Sequence, residues 1–268
     1  MSTAPIFDLI AVTGRAYQTV WAERRYLLRL AAIPFLFKIL FFTLGYSQGG
    51  DENLLRMTLF MLPAWVVEGW MLAHVARLVL LGQRWPFRPT GERDVDLPVL
   101  QDRYRGVMGG AVTFALTQFI VGGWFALLMY IVPVDLAADP TQQSVSGAAA
   151  VTACVLLGVA LYFFRYLWLY VPAAVRVPLR PAAVRLSVGM GISLRLLGLW
   201  FLCAVPAMVA LQMIVGLLVT LAGSEAGGDV VIVLSVAAKT AFDIVKNLLC
   251  AVAVCHALRG ILAVDRHA

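Results

Sequence analysis

Six long runs of largely apolar residues dominate this chain, at residues 27–46, 57–81, 107–133, 147–171, 194–222 and 230–262. A helix needs about 20 such residues to cross a hydrocarbon core about 30 Å thick, at about 1.5 Å of rise per residue. Inside a bilayer no water satisfies peptide groups, so an uninterrupted apolar run must satisfy its own by folding as a helix. The expected fold class is therefore all-α. It is a polytopic membrane helix bundle of six transmembrane helices, and residues 1–268 form a single integral membrane domain. Composition agrees, with 62% apolar and 13% charged residues, against about 45–50% and about 25% in soluble domains.

Charge alternates between the connectors. Asp51, Glu52, Asp135, Asp139, Glu225 and Asp229 lie on one side with the single basic residue Arg56. The other side carries Arg15, Arg24, Arg25 and Arg29, then Arg84, Arg88, Arg93, Arg103 and Arg105, then Arg176, Arg180 and Arg185, and finally Arg266. Basic connectors stay on the cytoplasmic side, so both termini are expected there, in a cell membrane such as the bacterial inner membrane. The acidic connectors are short, which pairs the spans as three antiparallel hairpins. The net charge of +6 is this topological bias and does not point to nucleic acid.

Residues 1–26 form a lead-in in which Ile6, Ile10, Tyr17 and Trp21 recur at helical spacing, as in an amphipathic helix on the cytoplasmic surface. Residues 83–106 contain Pro86, Pro89 and Pro98 and are expected to be largely irregular. Residues 172–193 are purely basic, and the stretch after Pro178 and Pro181 suits a second surface helix. Pro34, Pro63 and Pro206 fall inside spans and free backbone carbonyls there. The pairs Gly109-Gly110 and Gly122-Gly123 allow close helix packing. Cys154, Cys203, Cys250 and Cys255 all lie in apolar runs and read as small buried hydrophobes. His-x-x-Arg occurs twice, at His74/Arg77 and His256/Arg259, a hint of internal repetition.

The passage Arg165-Tyr-Leu-Trp-Leu-Tyr-Val-Pro, followed by Arg185-Leu-Ser and Ser193-Leu-Arg-Leu-Leu-Gly198, resembles bacterial six-span proteins of the YciC type. It also resembles the membrane domain of some glycerophosphoryl diester phosphodiesterases. The resemblance covers about residues 160–200 and implies the six-span topology. It carries over no activity and no functional residue.

Charges within the spans are the candidate site. Lys38 and Glu68 lie at similar depth on the first two spans, which predicts an ion pair. Exchanging their charges should then restore what each single change loses. Lys239, Asp243 and Lys246 occupy one face of the last span, where Asp243 can serve both lysines. The five form a mid-membrane charged site or partner contact. Arg77, Arg165, Arg176, Arg180, Arg185 and Arg259 are expected to contact lipid headgroups or another anion. His74 and His256, at similar depth, are candidate haem ligands, although nothing else calls for a cofactor or metal. The chain has no H-E-x-x-H, G-x-S-x-G, P-loop or G-x-G-x-x-G motif. Two functions stay open. One is a non-enzymatic scaffold, assembly factor or accessory subunit contacting anionic lipid and a partner membrane protein or second copy. The other is a small transporter or channel with a charged path.

Overall fold

The computed structural model describes residues 7–50, 53–131, 147–187, 190–222 and 228–262. Asp51, Glu52, Asp135, Asp139, Glu225, Arg266 and Ile6 lie outside them. Among the described residues there is no strand, and six helices are long and apolar enough to cross a membrane.

The lead-in folds as α1 (Leu9–Ala22), begun by the Asp8 carboxylate, which accepts the Ile10 and Ala11 N–H groups at 2.9 and 3.2 Å. It has two apolar faces. Ile10 and Trp21 are exposed, as a membrane-surface helix requires, while Val12 and Ala16 are buried against the last helix. Glu23 separates α1 from α2 (Arg24–Ser47). A tight turn, with the Gly50 N–H on the Gly45 carbonyl at 2.8 Å, leads to α3 (Leu54–Leu81). Asn53 caps the start of α3 through the Leu55 and Arg56 N–H groups. Gly82, at φ 71°, ends it by turning its own N–H and that of Gln83 back onto the Leu78 and Arg77 carbonyls.

Helix α4 (Arg93–Ile131) begins well before the expected residue 107, which corrects the irregular reading of 83–106. Asp96 accepts the Thr90 and Gly91 N–H groups, each at 3.0 Å, and fixes the entry turn. Asp94 and Asp96 suit the positive end of the helix. Pro98 sits in the second turn, where the carbonyl it leaves unserved belongs to the exposed Asp94. At about 1.5 Å per residue α4 is much longer than the bilayer core, so its first turns project beyond it.

The fourth span lies where expected, but its helix is interrupted: α5 (Gly147–Phe163), a 3₁₀ turn (Phe164–Trp168) and α6 (Tyr170–Ala174) follow one another. The break falls in an aromatic run around a buried arginine: Arg165 lies 4.1 Å from the centre of the Tyr162 ring and 5.2 Å from that of Tyr166. The basic connector then forms α7 (Leu179–Ser187) after the positive-φ turn at Arg176, as its prolines suggested. The last two spans are α8 (Met190–Ala222) and α9 (Gly228–Leu262).

Helices α3 and α9 form the centre of the bundle, with 61% of each apolar window buried and no other span above 28%. α2 and α4 flank α3, α8 pairs with α9, and α6 wedges between α3 and α4. That wedge needs Gly110, where a Cβ would come within 2.9 Å of both the Ala73 and Ala174 Cβ atoms. Gly123, by contrast, faces open space. α5 is peripheral and meets α4 only thinly; none of its described side chains is buried, and Cys154 is exposed there, unlike the other three cysteines. α2, α3 and α8 all run continuously through Pro34, Pro63 and Pro206. The Pro206 ring cannot serve the Leu202 carbonyl, and the Tyr17 hydroxyl of α1 donates to that oxygen at 3.4 Å.

Candidate functional site

The charged side chains converge where the first hairpin crosses the last helix. The Lys38 ammonium donates to the Glu68 carboxylate at 2.8 Å and also to Asp243 Oδ2. The other Asp243 oxygen accepts Lys246 at 2.5 Å, and Glu68 accepts the Asn247 amide at 2.7 Å. The result is one continuous chain of groups: Lys246, Asp243, Lys38, Glu68, Asn247. Lys38 and Glu68 are almost fully buried, at 5% and 1% exposure. An isolated charge at the centre of a span costs about 2.5–3.5 kcal/mol on insertion scales. Sharing Lys38 between two carboxylates on different helices therefore ties α9 to the α2/α3 hairpin.

The pairing of Lys38 with Glu68 follows the sequence expectation. The α9 stripe does not. Asp243 is not shared between Lys239 and Lys246; it keeps Lys246 and takes Lys38 as its second partner. Lys239, one turn away toward the start of α9, is exposed and has neither a hydrogen bond nor an ion pair among the described residues. It lines a partly open cavity of about 370 Å³ together with Lys38, Asp243 and Lys246. Phe42, Met61 and Trp65 form one wall and Met208 and Leu211 another. Asn247 was missed in the sequence, although the signal was there: it lies four residues beyond Asp243 on the same helical stripe.

Toward the far end of α9 the charged stripe gives way to apolar residues: Leu248, Leu249, Cys250, Ala251, Val252, Ala253, Val254 and Cys255 are all buried, in one core with Met71, Leu72, Val75 and Ala76 of α3. None of these residues carries a carboxylate or an amine.

The arginines expected at lipid headgroups are mostly turned to a different use. Arg77 is buried and gives its donors to the Ala174 carbonyl at 2.9 Å, Gln83 at 3.0 Å and Asp102 at 2.8 Å. Arg259 donates to the Val79 carbonyl, Arg165 to that of Ser187 at 3.3 Å, and Arg185 to those of Ile261 and Leu262 at 3.2 and 3.3 Å. Each acceptor lies in the last turn of a helix, where carbonyls lack intrahelical partners and the dipole favours a cation. The contacts close a ring: α9 caps α3, α3 caps α6, the 3₁₀ turn beside α6 caps α7, and α7 caps α9. Arg77 and Arg165 are thus corrected from lipid contacts to buried caps. Arg176 is half-exposed and lies 3.5 Å from Asp102, while Arg180 is exposed and makes no polar contact within the described residues.

The haem reading has no geometric ground. His74 packs between Trp70 and Trp85, whereas His256 lies 3.1 Å from Thr19 of α1. Among the described residues no group of three or more His, Cys, Asp and Glu side chains could hold a metal ion.

The fold and the crossing point define an all-α, multi-pass membrane protein with an intramembrane ion network. No family model, curated protein or solved structure matches the chain.

Proposed function

We propose that the chain is a non-enzymatic integral membrane protein, an accessory or assembly subunit that docks a partner membrane protein at the Lys239 cavity. The observation that carries this reading is Lys239 itself, a cation without a partner among the described residues, on the cavity wall beside an otherwise satisfied network. Asp243 marks the middle of α9, and Lys239 lies about 6 Å from it along the helix axis. At that depth a carboxylate on a partner's span would offset a charge that otherwise costs about 2.5–3.5 kcal/mol. The apolar layer from Leu248 to Cys255 argues against a path through the bundle. The protein's place is a bacterial inner membrane with both termini cytoplasmic, supported by the distribution of arginine. Kinship with the YciC-type six-span proteins belongs to the same proposal.

Native mass spectrometry of the protein extracted in its own lipids tests this. The expected result is a second polypeptide at fixed stoichiometry that is lost in Lys239→Met, with thermal stability unchanged. A lone chain that moves protons or ions in proteoliposomes would refute the reading and favour the small-transporter alternative.

A further inference from the structure

A cavity of about 910 Å³ lies far from the ion network, where α1 ends and α2 begins. Its wall is built by the segment after α3, which folds back over the start of α2. Three contacts fasten it: Arg84 to Glu23 at 2.5 Å, the Trp85 N–H to the Tyr26 hydroxyl at 3.0 Å, and Arg103 to the Arg84 carbonyl at 3.0 Å. Six arginines and a single carboxylate, Glu23, line the basin. Arg24, Arg84 and Arg103 are occupied, the first by the carbonyl and ring of Trp21. Arg25, Arg29 and Arg88 have no polar partner among the described residues. Tyr26 accepts the Trp85 N–H and keeps its own hydroxyl hydrogen to donate into the cavity.

We propose that this basin is a binding site for a phosphate-bearing anion. Unpartnered guanidiniums facing one space repel each other, and a phosphate offers each of them the bidentate oxygens that its planar fork fits. A fastened wall spares part of the ordering cost of binding. The cavity size falls in the range of small-ligand sites, about 300–1,000 Å³. An anionic phospholipid headgroup and a soluble phosphate share this chemistry. The site goes beyond the docking role proposed above and does not depend on it.

The test uses the full chain in nanodiscs of phosphatidylcholine alone, of three parts phosphatidylcholine to one part phosphatidylglycerol, and of phosphatidylcholine with added inorganic pyrophosphate. The wild type is compared by thermal shift with R25Q/R29Q/R88Q and with R15Q/R105Q/R180Q, which removes the same charge from exposed positions outside the basin. The expected result is stabilisation of the wild type and of the outside variant, with none for the basin variant. Each basin arginine should contribute about fivefold in apparent affinity, and the three together about a hundredfold. A shift with phosphatidylglycerol assigns the site to a lipid headgroup, and one with pyrophosphate alone assigns it to a soluble phosphate. Equal loss in both triple variants would reduce the effect to general surface charge and overturn the proposal, as would the absence of any shift. If the basin triple does not fold, R88Q alone should show the fivefold loss, and an unchanged affinity there overturns the site.

Discussion

Replacing Lys38 by methionine probes the ion network most directly. Lys38 serves two carboxylates, but they are not equally dependent on it. Asp243 keeps Lys246 at 2.5 Å, whereas Glu68, at 1% exposure, is left with the Asn247 amide alone. The loss is therefore one uncompensated buried carboxylate, and removing one partner of a buried pair costs about 3–5 kcal/mol. At about 2–4 °C per kcal/mol for chains of comparable size, Tm should fall by about 6–20 °C. Adding Glu68→Gln removes the stranded charge while keeping an acceptor for Asn247, so K38M/E68Q should recover at least about 2 kcal/mol of that loss. Thermal unfolding of the three variants in one fixed lipid and detergent mixture, followed by size-exclusion fluorescence, measures the cycle. A double variant no more stable than K38M would refute the reasoning. The structure also reverses the simple charge-exchange expectation: Asp243 contacts position 38 as well, so K38E/E68K sets two carboxylates against each other and should not rescue.

Arg77→Lys keeps the charge but cannot hold Gln83, Asp102 and the Ala174 carbonyl together, and should cost about 2–3 kcal/mol in the same assay; equal stability would show that the buried cap is dispensable. Gly110→Ala should lose about 1–3 kcal/mol by forcing α4 away from α3 and α6, while Gly158→Ala, with nothing within 4 Å, should stay within about 0.5 kcal/mol. In a cysteine-free background, a thiol placed at Gln48 should react with an impermeant reagent from outside intact cells, and one at Arg88 only after the membrane is opened. The opposite pattern would invert the proposed orientation.

The spans were legible because the cost of an unsatisfied peptide group in hydrocarbon leaves few alternatives, and the Lys38–Glu68 pair was legible because a short turn fixes depth. What escaped depends on contacts distant in sequence. Nothing local shows that Asp243 reaches Lys38, or that Arg185 meets the last carbonyls of α9. Arginines expected at lipid headgroups turned out to cap helix ends, a use that their position near the ends of the spans cannot distinguish. The early start of α4 escaped because three prolines outweighed Asp94 and Asp96. The break at Phe164–Trp168 escaped because its aromatic run is as apolar as an intact span.

The link between Lys38 and Asp243 spans 205 residues. At about 5–20 residues per second, the ribosome needs about 10–40 s to make that stretch. During this interval the first hairpin is already balanced, since Lys38 and Glu68 can neutralise each other while α9 does not yet exist. When α9 arrives it brings its own pair, Asp243 with Lys246. Neither half enters the bilayer with its key carboxylate stranded, and the two join by letting Lys38 accept a second partner. A nascent chain stalled before α9 would thus leave a hairpin that is stable in the membrane yet unable to close the bundle.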